Sequence, residues 1–433
     1  MNLRLFFTEA PAYFYALPAL LLAYGGAVIA MTFALFAKTP RREDFSAVDA
    51  ENGGQGAAVG APGVSVVIPF RNEERNLPAL LASIDGQNYG GAVEVILVND
   101  GSTDGGADVI KKFAPRGKNI FIEAVDLPQS ADSDVKLTSK QRALDFGVDR
   151  SSYRLILFTD ADMILEPTWA ESMAESHLST GADMVFGHTA IMRIGIDNAA
   201  NAVANINVGI NTNTDTDTDE GADTLSSRIR ALIRKLFVLL ESYQLEYLFS
   251  FAYAFSKLNI MGSCMGNNVL ITKEAYAACG GQRGVGYSIV EDRALLGLVR
   301  KRGFKTAACE PFTVTARTYP SRSIGQFADQ ALRWARGGLR PGGGLFAAGL
   351  LLLTQNIIFL LSMICALPPA LILQCAANFM LTWLFLSISF HKNGAAASKI
   401  LFPAHYIFMT VETIAFLPLV LFKSGVKWKD RRV

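Results

Sequence analysis

Residues 64–100 read VSVVIPFRNEERNLPALLASIDGQNYGGAVEVILVND, and this stretch decides the fold class. VSVVIPF and VEVILVND are short apolar runs rich in Val and Ile, which is typical of buried β-strands. NLPALLASI, between them, has the composition of a helix. A strand, a helix and a second strand in this order predict a βαβ unit with parallel strands.

The same alternation continues further along the chain. NIFIEAV, RLILFTDAD and DMVFGHTAI are apolar runs, and ADVIKKFA and KQRALDFGV are segments of helical composition. We therefore predict an α/β domain over residues 64–340, with a mostly parallel sheet covered by helices. Residues 195–224 are a polar low-complexity stretch that breaks the pattern, and we expect them to form a mobile loop.

Composition limits the functions that are open to the chain. Its 433 residues are 51% hydrophobic and only 18% charged, which predicts membrane segments beside a globular domain. The 40 Lys and Arg nearly balance the 39 Asp and Glu, so net charge does not point to nucleic acid as a partner. The five cysteines form no C-x-x-C pair, which argues against a zinc site and a disulfide framework and fits a reducing cytosol.

Residues 10–37 carry no charge and exceed the ~20 residues that a membrane-spanning helix needs. They are also longer than the ~7–15 apolar residues of a cleavable signal peptide, so we predict an uncleaved transmembrane anchor. Lys38, Arg41 and Arg42 follow it, and the positive-inside rule places the following domain in the cytoplasm. Residues 38–63, rich in Gly and Ala, are expected to form a flexible linker.

A second apolar region, residues 341–422, is predicted to hold the C-terminal membrane segments. Residues 341–390 can form a hairpin of two spans, and 400–422 are a third apolar run with Glu412 in the middle. Three crossings would place the basic tail, 423–433, outside, against the positive-inside rule. Either one run is interfacial or re-entrant, or the rule fails here; because a charge inside a span is costly, we favour a segment around Glu412 that does not span.

The stretch from Ser226 to Phe255 has a helical composition with a basic start and an aromatic end. Arg228, Arg230, Arg234 and Lys235 ahead of Leu, Phe and Tyr residues suit a helix on a membrane surface. An ordinary core helix fits the pattern equally well, because periodicity alone does not separate the two.

The strongest local signal for chemistry is Asp160 and Asp162, which follow directly on an apolar strand in LILFTDADMIL. In a turn at the end of a strand both carboxylates can converge on one Mg²⁺ or Mn²⁺ ion, which would neutralise a diphosphate. A D-x-D triplet alone is more often a solvated turn. Its position after a buried strand favours the metal site.

Two further acidic sites have both a structural and a functional interpretation. In VNDGSTD, Asp100 can accept hydrogen bonds from a nucleobase or ribose while Gly101 turns the backbone; alternatively Ser102 or Thr103 caps a helix. Glu291 and Asp292 begin a predicted helix, where capping alone explains carboxylates. Sugar transfer with inversion needs a base for the acceptor hydroxyl, and Asp292 is the candidate.

Gln330, Arg333 and Trp334 form a Q-x-x-R-W pattern just ahead of the second apolar region. On a helix they share one face, where the indole can stack on a sugar and the guanidinium can hold a diphosphate. The alternative is an Arg and a Trp placed at the membrane surface, which is common there.

In chain order, PFRNEERNLPALLASI, VNDGSTD, SKQRALDFG, TDAD, VED and QALRW resemble the motifs of family 2 inverting glycosyltransferases of GT-A fold. The resemblance is to the membrane-bound branch with cellulose, chitin and hyaluronan synthases and ceramide glucosyltransferases, and it covers roughly residues 64–338. It implies a Rossmann-like GT-A catalytic domain flanked by N-terminal and C-terminal transmembrane helices, with Mg²⁺ or Mn²⁺ as cofactor.

The resemblance also implies roles for individual residues. The catalytic base would be Asp292, the metal would be held by Asp162 and Asp160, and acceptor and diphosphate would meet Glu291, Gln330, Arg333 and Trp334. The nucleotide-sugar would contact Pro69, Arg71, Asn72, Glu73, Asp100, Lys140 and Asp160. The chain departs from the family at Asn99 and Val290, where Asp and Thr are usual, and at Asp145, where the family has Asn. None of these removes an essential carboxylate.

Three functions follow as hypotheses. The first is transfer of one sugar from a nucleotide-sugar, a UDP-sugar by preference, to a lipid acceptor at the cytoplasmic face of the membrane. The second is a processive polysaccharide synthase acting on a growing glycan, and it would need a channel through the membrane. The third, an inactive binding module of the same fold, is disfavoured because all the expected acidic positions are present.

Overall fold

The computed structural model describes residues 13–37, 61–128, 136–192, 225–260, 263–310, 313–338, parts of 351–361, 369–393, 400–422, 427–428 and 431–432. The predicted loop at 195–224 lies outside these residues, as do most of the linker at 38–63, most of 341–368 and most of the basic tail. The chain divides into a helical unit (residues 1–38, 250–262 and 334–424) and an α/β unit (39–249, 263–333 and 425–433).

The described elements follow one another from an N-terminal helix through alternating strands and helices to C-terminal helices. In chain order they are α1 (Tyr13–Ala34), β1 (Val64–Phe70), α2 (Leu77–Asp85), β2 (Val93–Asn99), α3 (Gly106–Lys112), β3 (Ile120–Asp126), α4 (Ser139–Arg150), β4 (Leu155–Phe158), β5 (Met163–Leu165), α5 (Trp169–Thr180), β6 (Met184–Phe186), β7 (His188–Ile191), α6 (Leu225–Lys257), β8 (Val269–Thr272), α7 (Lys273–Ala278), α8 (Gly281–Val285), α9 (Glu291–Lys301), β9 (Thr306–Ala308), β10 (Val314–Thr318), α10 (Ile324–Gly338), α11 (Pro369–Lys392), α12 (Phe402–Phe422), β11 (Lys427–Trp428) and β12 (Arg431–Arg432).

The α/β unit is built on a seven-stranded sheet in the order β3-β2-β1-β4-β8-β6-β9. Strands β3, β2, β1 and β4 are parallel, β8 runs antiparallel to both of its neighbours, and β6 is parallel to β9. The prediction of an α/β fold with a mostly parallel sheet, GT-A-like in type, is therefore confirmed. In the β1–β2 register Phe70 pairs with Asn99, so the loops that begin at Arg71 and Asp100 leave the sheet side by side.

Helix α2 shows why these sequences pack as they do. Leu77, Leu80, Leu81 and Ile84 repeat at helical spacing and have no exposed surface, because this face covers the sheet. Burying each such side chain stabilises the fold by roughly 1.5–3 kcal/mol relative to leaving it exposed. The apolar runs of the sequence thus become one core, which fixes the ends of β1, β2 and β4.

A small second sheet, in the order β5-β10-β7, is tied to the first by the side chain of Asn268. The indole N–H of Trp169 donates to Asn268 Oδ1 over 2.9 Å, and Asn268 Nδ2 donates to Thr315 Oγ1 over 2.9 Å. Because all three side chains are buried, these bonds hold β10 and α5 against the start of β8. Strand β5 directly follows Asp162 and is thereby held in place as well.

Helix α6 has an exposed beginning and a buried remainder. Its first turns, up to Leu236, expose Ile229, Leu232 and Ile233 together with basic side chains. From Val238 onwards it is largely buried, and Tyr243 and Phe249 are among the larger core residues. A core helix is therefore correct for Val238–Phe249, whereas the beginning of the helix is a surface element.

The helical unit contains one helix, among the described residues, that is long and apolar enough to cross a membrane: Pro369–Lys392. The apolar part of α1 within the described residues, Pro18–Ala34, is shorter. The two helices pack together: Asn378 Nδ2 donates to the carbonyl of Leu21 over 3.0 Å, and the hydroxyls of Tyr24 and Thr382 lie 2.9 Å apart. Such buried polar contacts are a common means of joining helices in lipid. The predicted number of crossings stays a prediction.

Candidate active site

The loops after β1 and β2 are fastened to each other at the carboxyl edge of the sheet. Arg71 Nη1 donates to the backbone carbonyl of Asp100 over 2.9 Å, and the N–H of Thr103 donates to Asn72 Oδ1 over 2.8 Å. Asn72 has a φ of 52°, a left-handed conformation that Asn tolerates better than most residues. Arg71 and Asp100 are thus brought together, and the role of this pair and of Pro69 stays a prediction.

The departure at Asn99 has a structural explanation. Its Oδ1 accepts from the N–H of Ser102 over 2.9 Å and its Nδ2 donates to Asp126 Oδ1 over 2.8 Å, so the amide connects the turn to β3. Gly101 has a φ of 70°, which suits glycine at this turn. The alternative in which Ser102 or Thr103 caps the following helix is wrong, because the N-cap of α3 is Gly105.

Lys140 joins the aspartates after β4 to the start of α9. Its Nζ lies 2.8 Å from Asp160 Oδ1 and 3.0 Å from Glu291 Oε1. Burial alone would lower the pKa of Lys140, but the two carboxylates outweigh it and raise the pKa above its ordinary value. The lysine therefore stays charged in a largely buried position, where it can hold an anionic group.

Asp292 is fixed by backbone donors beside this ion pair. The N–H of Gly266 donates to Oδ2 over 2.6 Å, and the N–H of Arg293 donates to Oδ1 over 2.7 Å. Burial and the adjacent Glu291 raise the pKa of Asp292 to about 6, although Lys140 and both N–H groups lower it. A Cβ on residue 266 would lie 2.8 Å from the Cβ of Asp292, so only glycine allows this approach.

Helix α10 carries Gln330 and Arg333, with Trp334 following in the part assigned to the helical unit. Its beginning is held by Glu241 of α6, which accepts from the N–H of Ser321 over 3.1 Å and from its hydroxyl. No hydrogen bond or ion pair within the described residues joins Gln330 or Arg333 to Lys140, Asp160 or Asp292. The Q-x-x-R-W pattern is thus helical as predicted, and its role at the site stays a prediction.

Several residues that position the site were missed by sequence reasoning. Gln141 is fully buried: its Nε2 donates to the carbonyl of Gly286 over 2.7 Å and to Gln282 Oε1 over 3.2 Å. With Thr138 it also forms a capping box at the start of α4. The T-x-x-Q spacing at 138–141 is a known signal for such a box, so this half of its role was open to prediction.

Asp145, where the family has Asn, has a packing role. It accepts from the hydroxyl of Tyr276 over 2.6 Å and from the N–H of Gln282 over 2.7 Å, and it thereby holds α4 against α7 and α8. Tyr319, just after β10, is a further residue near the aspartates: burial first, and then the charge of Asp162, raise its pKa.

The residues present fit a divalent cation that is shared with a substrate. No group of three or more His, Cys, Asp or Glu side chains in the described parts of the chain could hold a metal ion by itself. Mg²⁺ and its relatives are commonly held by one or two carboxylates together with substrate phosphates. Asp160 and Asp162 supply such a pair of oxygen ligands at the carboxyl edge of the sheet.

Comparison with known families agrees with this geometry. The family model described as Glycosyl transferase family 2 matches residues 65–238, which include β1, β2, β4 and both aspartates. The match identifies residues 65–238 as a glycosyl transferase family 2 domain. A second model, Glycosyl transferase family 21, matches residues 230–433, which include Asp292, the Q-x-x-R-W helix and the C-terminal part of the helical unit. Together the two models match residues 65–433.

Curated relatives match only a part of the chain. Glycosyltransferase AglE of Haloferax volcanii is 30% identical over 128 residues, which is 29% of this chain and 39% of that protein. The 4,4'-diaponeurosporenoate glycosyltransferase of Staphylococcus aureus is 36% identical over 100 residues, 23% of this chain and 24% of that protein. The chain thus spans less than half the length of either relative in these matches.

Among solved structures, a mannosyltransferase from Pyrobaculum calidifontis in complex with GDP-Man and Mn²⁺ is similar over 91% of this chain and 99% of its own. The identity is 14% and the TM-score is 0.46.

Substitution of Gln141 tests whether it positions the segment before Asp292. In Gln141→Ala the carbonyl of Gly286 loses its donor and the N–H of Ser288 loses its acceptor, 3.3 Å away. Each hydrogen bond contributes on the order of 1 kcal/mol, so we expect the amides of residues 286–290 to exchange hydrogen at least about tenfold faster by mass spectrometry. Arg142→Ala, at the next position, is the matched control; equal exchange in both variants would remove Gln141 from this role.

Proposed function

We propose that the chain transfers a sugar, with inversion, from a nucleotide-sugar to a lipid acceptor at the cytoplasmic face of a membrane. The observation that carries this proposal is the arrangement of Lys140, Asp160, Glu291 and Asp292 at the carboxyl edge of a parallel sheet. The ammonium group of Lys140 lies between the carboxylates of Asp160 and Glu291. Beside them is the carboxylate of Asp292, whose pKa is raised. These are the groups that a diphosphate leaving group and an attacking hydroxyl require.

The donor would lie against the loops after β1 and β2. Arg71 and Asp100 are joined there by a hydrogen bond. We propose that these two residues, together with Pro69 and Glu73, contact the nucleoside. The diphosphate would meet Lys140, whose charge is retained in a buried position. A divalent ion held by Asp160 and Asp162 would supply further positive charge to the departing diphosphate. We propose a UDP-sugar as the donor because of the resemblance to the membrane-bound branch of the family.

Asp292 would act as the base. The acceptor oxygen attacks the anomeric carbon from the side opposite the diphosphate, the bond to the diphosphate breaks with its electron pair, and the hydroxyl proton passes to Asp292. With a pKa of about 6, the carboxylate is stronger as a base than an ordinary Asp and is still largely ionised at neutral pH. One displacement of this kind inverts the anomeric centre.

A lipid acceptor is supported by the helical unit and by the relatives. Helix α11 is long and apolar enough to cross a membrane, and α1 packs against it. The name of the Staphylococcus aureus relative specifies 4,4'-diaponeurosporenoate, a hydrophobic acceptor. The second candidate is a processive synthase, which the Q-x-x-R-W helix favours. It would need a channel of several spanning helices, whereas a single helix of the described residues meets the length and hydropathy requirement.

The reaction product separates these two functions. Membranes containing the full chain are incubated with a panel of radiolabelled nucleotide-sugars and Mn²⁺ or Mg²⁺, and the products are extracted into organic solvent and sized. We expect label in the organic phase as a single-sugar lipid, and loss of this label in Asp292→Asn. Label confined to large water-soluble material would establish the synthase instead, and no metal-dependent transfer with any donor would favour the binding module.

Substitution of the two aspartates after β4 separates donor binding from transfer. We expect Asp160→Asn and Asp162→Asn to weaken Mn²⁺-dependent binding of the donor, because each removes a carboxylate ligand. Asp292→Asn should bind the donor nearly as well as the parent chain while transfer is lost. Binding is measured calorimetrically with and without Mn²⁺, and Asp108→Asn, an exposed position on α3, is the control. Unchanged metal dependence in both aspartate variants would contradict the assignment.

The pH profile reports the state of Asp292. Its raised pKa predicts that kcat/KM falls about tenfold per unit below pH 6, where the carboxylate becomes protonated. Glu291 raises this pKa and Lys140 lowers it, so Glu291→Gln should move the acid limb to lower pH and Lys140→Met to higher pH. Glu274→Gln, at an exposed ion pair with Arg154, should leave it in place. Shifts of the opposite sign would show that another group controls the limb.

A further inference from the structure

The first turns of α6 carry an exposed apolar stripe that the proposed reaction does not use. Ile229, Leu232, Ile233 and Leu236 are 47%, 67%, 59% and 47% exposed, respectively. Their spacing of three, one and three residues places all four on one side of the helix. Single exposed apolar residues are ordinary on protein surfaces, but four contiguous ones indicate a surface that contacts something apolar.

Basic residues flank this stripe. Arg230 and Lys235 are both exposed, and because successive residues advance by about 100° around a helix, they lie on opposite sides of the apolar row. Arg234 lies further round and stacks over the ring of Phe237, 5.8 Å away. An apolar row between two basic borders is the pattern of a helix that lies in the headgroup region of a lipid bilayer.

The same helix packs into the α/β unit directly after the stripe. The ring of Phe237 meets that of Phe327 edge-on at 5.5 Å, and Val238 and Glu241 are buried. The stripe therefore precedes the part by which α6 is held in the α/β unit. Continuity of the chain also supports contact with lipid. Helix α6 runs on to Ser250–Lys257, and these residues belong to the unit that contains Pro369–Lys392, the helix long and apolar enough to cross a membrane.

We infer that residues 229–236 of α6 dock on an anionic phospholipid surface, with the apolar row among the upper acyl chains and Arg230 and Lys235 at lipid phosphates. The charge complementarity selects anionic lipid, since a basic side chain near such a surface strengthens binding about fivefold. This contact involves none of the residues to which the proposed function assigns a role. It would hold the α/β unit at the membrane independently of the spanning helix.

A fluorescent label tests the docking in the full chain. Leu232→Cys is labelled with an environment-sensitive fluorophore, with the equally treated parent chain as background, and reconstituted in nanodiscs of phosphatidylcholine with or without about one third phosphatidylglycerol. We expect quenching by headgroup nitroxide lipids, and stronger quenching when phosphatidylglycerol is present. The matched position is Phe121→Cys, which is 58% exposed on β3 and should not be quenched by lipid.

Charge reversal tests the basic borders. The double variant Arg230→Glu with Lys235→Glu should lose the increase that phosphatidylglycerol causes, whereas Lys301→Glu with Arg302→Glu, an equal charge change at exposed positions at the end of α9, should keep it. A label at residue 232 that nitroxide lipid does not quench would overturn the inference. Shielding of that label from aqueous iodide without lipid quenching would overturn it too, in favour of a protein cover such as a second copy of the chain.

Discussion

Lys140 Nζ contacts Asp160 at 2.8 Å and Glu291 at 3.0 Å, and these two contacts connect parts of the chain that no local element joins. Asp160 follows β4, whereas Glu291 opens α9. Removing an ammonium group from water is costly, and the two carboxylates offset that cost only if all three groups are held in place. The rest of the α/β unit can be understood as the scaffold that keeps them there.

Three sets of contacts make up this scaffold: the sheet, the packing of α2 and the hydrogen bonds of α4. The parallel sheet places the ends of β1, β2 and β4 at one edge, and the apolar face of α2 fixes those strands. Gln141 and Asp145 then anchor α4, one to the Gly286 carbonyl and the other to Tyr276, so that Lys140 is presented from a rigid first turn. Each bond satisfies a buried polar group, and a substitution would therefore lose the bond and leave its partner unpaired.

The fold and the functional edge of the sheet could be predicted from sequence, because both follow from the order of apolar runs along the chain. Alternating apolar runs predicted the parallel sheet, and aspartates after such runs predicted its functional edge, because strand ends converge in any fold of this class. The main role of Gln141, to hold the segment before Asp292, could not be predicted. Its partner is the backbone carbonyl of Gly286, which is distant in sequence and has no side chain to suggest the contact. The division of α6 into an exposed start and a buried remainder was equally hidden, because periodicity records one apolar face and not what covers it.

Adjacent carboxylates with different partners explain how Glu291 and Asp292 can differ in role. Glu291 is paired with a lysine, whereas Asp292 has two backbone N–H groups and faces the charge of its neighbour. Burial and the adjacent Glu291 carboxylate together raise the pKa of Asp292 to about 6. The charge of Lys140 lowers this pKa by direct attraction. The basicity of Asp292 therefore depends on the same lysine that would meet the diphosphate, so leaving group and base are linked through one side chain.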